Sequence, residues 1–289
     1  MAKERARIKR LEAMVAEVVE EAPDTVTLVL FTGNDRLNYE PGHFLTISPQ
    51  QFPALERWVD YLQDLKQKKE PPRAYSLCSS PEEKNIAITI KEERYISGET
   101  PYPPLLSPIL AKRTPPGTRM VVTGFTGPYT LTEQMRNEND ETLHICAGSG
   151  IVPSFSIIKH DLRVNTKLKH TLVYSNKKFE DVIFLNQLAE LQKEFPDRLK
   201  VIHTLTREED MSAFDGMRKG RISEDLLKEV VNDTSSTAVF VCGPDHHVWQ
   251  KKEAKEKGQE LPPSFMSSVL EFLGGLDVSK DKITKESYG

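Results

Sequence analysis

The stretch Leu143-His-Ile-Cys-Ala-Gly-Ser-Gly-Ile-Val-Pro153 runs from a short apolar segment through paired glycines into residues able to form a helix. An apolar run that ends in glycines before a helix is a strand-turn-helix unit. Its glycines let backbone approach a pyrophosphate, and the free N–H groups at the helix start favour negative charge. A Gly-x-Gly alone is weak evidence, because a βα turn without ligand needs the same residues. The surrounding sequence adds weight: apolar runs recur at Thr171–Tyr174, Leu199–His203 and Ala238–Val241, separated by helix-like segments at 154–162, 181–194 and 222–231. Such alternation predicts a parallel sheet covered by helices.

Upstream the pattern changes. Thr25–Phe31 and Ile86–Ile90 are rich in β-branched residues and bounded by Gly- and Pro-bearing loops, which predicts an antiparallel barrel or sandwich. Glu133–Glu141 is charged with a single apolar residue, the composition of a domain connection. A chain of 289 residues also exceeds the usual size of one core. The expected organisation is two domains: an antiparallel β-barrel over 1–135 and an α/β parallel-sheet nucleotide-binding domain over 140–289.

With 38% hydrophobic and 28% charged residues and a net charge of −4, the composition is that of a globular protein, with no basic footprint for nucleic acid. No run reaches the roughly 18 apolar residues of a bilayer span, and Met1–Arg7 leads into no secretory core, so a cytoplasmic location is expected. Cys78, Cys146 and Cys242 are far apart and odd in number, neither a disulfide framework nor a thiolate set for a metal or iron-sulfur cluster. Redox chemistry here would need an organic cofactor.

Arg73-Ala74-Tyr75-Ser76 follows Pro41-Gly42-His43-Phe44-Leu45 and precedes Leu77-Cys-Ser-Ser-Pro81. An arginine forks onto a phosphate, a tyrosine offers a flat face to a ring system, and a serine can hydrogen-bond a ring nitrogen. Together these motifs resemble the flavin-binding half of the ferredoxin-NADP reductase superfamily, and the likeness extends over nearly the whole chain. The resemblance implies one FAD, with Arg73 on its pyrophosphate, Tyr75 stacked on the isoalloxazine and Ser76 at N5, and with Ala74 and Ile90 among the lining residues. A second phosphate contact falls on Leu105, Leu106 and Ser107, where Pro104 replaces the family's glycine. Gly124-Phe-Thr-Gly-Pro-Tyr129 resembles the family's Gly-Pro-x-Gly-x-Phe turn, with Phe125 in place of proline.

In the second half the resemblance assigns Gly148, Gly150 and Pro153 to a nicotinamide dinucleotide. Asn176, Thr206 and Arg207 fall beside its adenosine ribose, and Gly243 and Pro244 lie in the Cys-Gly-Pro turn beside the nicotinamide. Arg207, with Lys177 and Lys178 nearby, could neutralise a 2′-phosphate, so NADP is favoured over NAD. Ser76, Cys242, Glu286 and Tyr288 are the expected surroundings of the hydride-transfer centre, the last two from the terminal Glu286-Ser-Tyr-Gly289; Cys242 could equally be a buried core thiol.

The implied activity is NAD(P)H oxidation through flavin, with single electrons passed to a separate acceptor such as a ferredoxin or an oxygenase component. A reductase of free flavin or another small acceptor is the first alternative, and a non-catalytic flavin-binding subunit the second. No plant-type iron-sulfur motif is present, and the lack of any cysteine after Cys242 disfavours a dihydroorotate dehydrogenase electron-transfer subunit. Two segments stand outside the resemblance: an amphipathic helix with apolar residues at 55, 58, 59, 62 and 65, and an insertion from His246 to Pro262 that contains the mixed-charge run 251–258.

Overall fold

The computed structural model describes residues 9–33, 38–97, 100, 102–164 and 167–288, so Met1–Arg7 and Gly289 lie outside the described residues. The chain divides into two compact units, Met1–Gly127 and Pro128–Gly289.

The first unit contains β1 (Lys9–Ala22), β2 (Thr25–Phe31), β3 (Phe44–Ile47), α1 (Glu56–Lys66), β4 (Arg73–Ser76), β5 (Ile86–Lys91), α2 (Ser107–Lys112) and β6 (Arg119–Thr126). Its strands form a sheet in the order β4-β3-β6-β1-β2-β5, with every pair antiparallel. The two edges meet where Leu77, just past β4, bridges Ile88 of β5, and the Cys78 N–H donates to the Ala87 carbonyl at 2.9 Å. That closure removes the exposed edges and makes the sheet a barrel. Leu28, Leu30, Leu45, Ile47, Leu77, Ile88 and Val122 fill its interior.

α1 packs on this barrel through Val59 and Leu62, with Leu55 buried just before its first residue. Of the five apolar positions in its sequence stripe, Leu65 instead faces solvent and Trp58 is half-buried, stacked on the exposed ring of Tyr61 at 5.2 Å. The stripe is wider than the contact available to it.

The second unit contains α3 (Glu133–Glu138), β7 (Glu141–Ala147), α4 (Ile151–Arg163), β8 (Lys169–Asn176), α5 (Leu185–Glu194), β9 (Leu199–Leu205), β10 (Arg218–Lys219), α6 (Glu224–Val230), β11 (Thr237–Pro244), α7 (Val248–Lys257), α8 (Phe265–Gly275) and β12 (Ile283–Tyr288). The sheet order is β10-β9-β8-β7-β11-β12, parallel throughout. The charged segment read as a connection is largely α3, whose N-terminus is capped by the Thr132 hydroxyl accepting from the Met135 N–H at 3.2 Å. α5 starts at Leu185 rather than 181, because Phe184 adopts a left-handed φ of 60° that a continuous helix cannot contain.

On α4 the fully buried Asp161 accepts from Arg136 Nε and His170 Nε2, each at 2.9 Å. The chain continues from His170 Nδ1 to the Thr142 hydroxyl at 2.7 Å and on to His144 Nε2 at 3.2 Å. Burial and the neighbouring His170 hold His144 well below the usual histidine range, so its ring is neutral in this network.

Candidate cofactor sites

In the parallel sheet, β7, β8, β9 and β10 extend to one side of β7 while β11 and β12 extend to the other. The strand order therefore reverses between β7 and β11, and in open α/β sheets a ligand binds beyond the carboxyl ends of the strands at such a reversal. Gly148–Gly150 follows β7 at that point, and Cys242-Gly243-Pro244 ends β11 beside it.

The two glycines differ physically. Gly148 has a left-handed φ of 53° and nothing within 4 Å of the place a Cβ would occupy. Gly150 has an ordinary φ, but a Cβ there would stand 2.2 Å from the Cys242 carbonyl oxygen. One glycine leaves backbone open to a ligand and the other lets the turn lie against β11. Gly243 is also sterically required, since a Cβ would meet the Phe265 ring at 2.4 Å. Tyr174 braces the turn from below, its hydroxyl donating to the Gly148 carbonyl at 3.0 Å and accepting from the Ile183 N–H at 3.3 Å.

α4 opens directly from this turn with no side-chain cap at Gly150 and with Pro153 in its first turn. The Ile151 N–H turns back onto the Gly148 and Ser149 carbonyls, Pro153 has no N–H to leave unsatisfied, and no side chain caps this end of the helix. At the ends of β8 and β9, Asn176 is buried with neither side-chain nitrogen nor oxygen hydrogen-bonded, and the buried Thr204 hydroxyl is also without a partner. Buried polar atoms are rarely orphaned. A polar ligand along this edge would satisfy them, so the residues fit a dinucleotide.

The loops after β8 and β9 are stitched together by Thr206 N–H to the Asn176 carbonyl at 2.9 Å and Arg207 N–H to the Lys177 carbonyl at 2.8 Å. Glu208 adds a side-chain link, accepting from the Phe179 N–H at 3.0 Å. Arg207, Lys177 and Lys178 are all exposed at this end.

Cys242 is fully buried, and desolvation pushes its thiol well above the usual cysteine range. It lies in register with Cys146 on β7 and Glu286 on β12. The Glu286 Oε2 is buried without a hydrogen-bond partner, and burial raises this carboxyl to about 7. Tyr288 stands at the end of β12 in register with Pro244.

In the barrel, Arg73 donates Nη2–H to Glu70 Oε2 and Nη1–H to the Pro71 carbonyl, both at 2.7 Å. Tyr75 is half-buried against the barrel core, Ala74 is exposed and Ser76 is buried. Alternation along a strand turns Tyr75 and Ser76 to opposite faces of β4, so the two side chains do not share one face. Ile90 is 1% exposed within the barrel core, and Leu105 and Leu106 are also core residues. Their side chains serve packing, which leaves backbone as the part able to meet a ligand. Ser107 begins α2, a helix of six residues, and its hydroxyl accepts from the Glu93 N–H at 3.2 Å. Phe125 has a φ of 69°, a conformation closed to the proline of the family pattern, whose ring fixes φ near about −65°.

The residues fit a flavin at Arg73 and Tyr75, which supply a guanidinium and a flat ring on one strand. Glu70 and Tyr174 are not among the expected site residues: Glu70 pairs with Lys66 and Arg73, four residues before it and three after, and Tyr174 reaches the glycine turn through the folded sheet. Among the described residues no three or more His, Cys, Asp or Glu groups converge as a metal site, and no helix is long and apolar enough to cross a membrane.

Residues 144–249 match the family model of the oxidoreductase NAD-binding domain. The chain is 32% identical over 254 residues to the ferredoxin reductase component of 3-ketosteroid-9-alpha-monooxygenase of Mycobacterium tuberculosis, covering 84% of this chain and 61% of that protein. It is 34% identical over 164 residues to NADH-cytochrome b5 reductase 2-B of Vanderwaltozyma polyspora, covering 56% of this chain and 52% of that one. The chain thus spans between about half and three fifths of the curated relatives it matches. Among solved structures, the flavohem-like FAD/NAD binding domain of nitric oxide dioxygenase from Vibrio cholerae superposes with a TM-score of 0.71 at 20% identity, covering 96% of this chain and 98% of that one. The ferredoxin reductase in carbazole 1,9a-dioxygenase gives a TM-score of 0.69 at 20% identity over 99% of this chain and 71% of that one. A closed antiparallel barrel, a parallel sheet with its glycine turn at the strand-order reversal, and these likenesses in sequence and fold support the ferredoxin-NADP reductase superfamily as the family of this chain.

Proposed function

We propose that the chain is an FAD-dependent oxidoreductase that takes hydride from NAD(P)H and passes single electrons to a separate acceptor, a ferredoxin or an oxygenase component, in the cytoplasm. The observation that carries this reading is the carboxyl edge of the parallel sheet, where the open Gly148 turn follows β7 and the orphaned side chains of Asn176 and Thr204 lie near the ends of β8 and β9. The reductase components among its relatives supply the class of acceptor. The two units are proposed as a flavin domain and a nicotinamide domain.

A bound flavin supplies the conversion of a two-electron donor into one-electron steps. No side-chain nucleophile is needed, so the chain's own contribution is binding, orientation and exclusion of water. The Gly148 backbone and the start of α4 would hold the dinucleotide pyrophosphate, Asn176 and Thr204 its ribose, and Arg207 with Lys177 and Lys178 a 2′-phosphate. Arg73 would hold the flavin phosphate and Tyr75 its ring. Glu286, raised to about 7, can carry a proton on its carboxyl in the neutral range.

Anaerobic titration of the purified protein with NADPH and with NADH, followed at the flavin absorbance band, tests the reading. Bleaching of that band by a nicotinamide nucleotide is expected, with NADPH the tighter ligand. A protein that takes up no flavin, or whose flavin neither nucleotide reduces, would refute it. Cytochrome c reduction with and without added ferredoxin then separates a protein acceptor from a small one.

A further inference from the structure

We propose that Glu70, at the far end of the α1 insertion, is a positioning residue that sets the Arg73 guanidinium for a flavin phosphate. The inference deepens the flavin reading of the barrel and rests on it.

Glu70 is a charged side chain only 2% exposed, and four of its polar atoms are engaged. Its N–H donates to Gln63 Oε1 at 3.1 Å and its carbonyl accepts from Gln50 Nε2 at 2.8 Å. Its Oε1 accepts from Lys66 Nζ at 2.6 Å and its Oε2 from Arg73 Nη2 at 2.7 Å. Gln63 and Lys66 belong to α1, and Lys66 Nζ also lies 4.9 Å from the centre of the Tyr102 ring. The helix that the family resemblance leaves unexplained therefore ends on the carboxylate that grips the phosphate-binding candidate.

The grip is incomplete in a useful way. Glu70 and the Pro71 carbonyl occupy two of the five N–H donors of a guanidinium and fix its plane. Three donors are left to fork onto a phosphate, and the Arg73 side chain retains 36% exposure. Pairing a cation with a carboxylate would ordinarily cancel its attraction for an anion. Lys66 offsets that: Lys66, Glu70 and Arg73 together carry a net charge of about +1, so the cluster still attracts phosphate while one member is locked in place. A lone arginine would have to lose its rotamer freedom on binding; here that loss is already met on folding.

The test is a double-mutant cycle on FAD affinity, measured by fluorescence titration of deflavinated protein. Arg73→Ala should weaken FAD roughly ten- to hundredfold, the loss of a charge-assisted phosphate contact. Glu70→Gln should weaken it roughly three- to tenfold by freeing a rotamer-rich side chain, although the site becomes more positive and charge alone would tighten binding. In the Arg73→Ala background Glu70→Gln should add nothing, whereas general loosening of the barrel would cost the same in both backgrounds. Unchanged or tighter FAD binding in Glu70→Gln, or equal losses in both backgrounds, overturns the inference. Should Glu70→Gln fail to fold, Lys66→Met gives the same information: its loss of FAD affinity must vanish in Arg73→Ala, and persistence there refutes positioning. A wild-type protein without flavin affinity, or an Arg73→Ala variant with undiminished affinity, fails at a different step and removes the flavin reading itself.

Discussion

Gly150→Ala should cost stability, whereas Gly148→Ala, two residues away, should cost mainly dinucleotide affinity. At Gly150 the backbone φ of −62° suits any residue, so the obstacle is space alone. A Cβ would stand 2.2 Å from the Cys242 carbonyl oxygen, 2.6 Å from its carbonyl carbon and 2.9 Å from the Gly243 nitrogen. Ordinary contact begins at 3.4 Å, so 3.4 less 2.2 leaves about 1.2 Å to be found. The atoms in the way are backbone of β11, which is paired to β7 on one side and β12 on the other. Moving it strains two ladders, so the cost belongs at the upper end of overpacking, about 3 kcal/mol.

For a unit of this size that corresponds to a fall in melting temperature of about 6–12 °C. Gly148→Ala meets nothing within 4 Å, and its cost is that of a left-handed φ of 53° on an L-residue, about 1 kcal/mol or about 2–4 °C. Its methyl group enters the space proposed for the pyrophosphate and should raise the NADPH dissociation constant. Thermal unfolding by far-UV circular dichroism and a dinucleotide titration on each variant measure both effects. A Gly150→Ala melting temperature within about 2 °C of wild type, or a larger loss in Gly148→Ala, would refute this division of roles.

The parallel sheet was legible because its strands are buried on both faces and read as continuous apolar runs, and the runs at Leu143, Thr171, Leu199 and Ala238 all lie within strands β7, β8, β9 and β11. The glycine turn was legible for a related reason, since close approach and a left-handed φ both demand the one residue without a side chain. What could not be read is which polar side chains the fold buries and pairs. Nothing local marks Glu70, which looks like one more acid after a lysine run yet is buried between Lys66 and Arg73. Tyr174 reads as a strand aromatic, and only the folded sheet brings its hydroxyl under Gly148. The lysines of the mixed-charge run invite a docking role, but Lys251 is bound to Asp245 at 2.7 Å and Lys257 to Glu253, and of α7 only Ala254 is buried. Paired lysines on an exposed helix need no partner to account for them. The exposed Leu65 shows the opposite error: periodicity locates a helical face without saying how much of it the partner surface covers.

Three further outcomes are expected. Arg207→Ala should raise the Michaelis constant for NADPH and leave that for NADH nearly unchanged, since Arg207 is exposed at the end assigned to a 2′-phosphate; equal effects on both nucleotides would remove it from that role. Tyr174→Phe deletes a donor to the Gly148 carbonyl and leaves the buried Ile183 N–H unpaired, for a loss of about 1–3 kcal/mol by urea unfolding; wild-type stability would show that the brace is slack. Glu286→Gln should stabilise the protein in a pH-dependent way. Burial raises this carboxyl from 4.5 to about 7, so between those values the folded chain holds a proton that the unfolded chain releases. Stability is therefore full below the unfolded value and falls as pH rises through about 7. The penalty reaches roughly 3 kcal/mol at pH 8 and is under about 1 kcal/mol at pH 5. Glutamine removes the ionisation and with it the penalty, so the variant should melt well above wild type at pH 8 and close to it at pH 5. A difference in melting temperature that does not change with pH would mean that Glu286 is charged and satisfied in the folded chain, and that its carboxyl does not hold a proton in the neutral range.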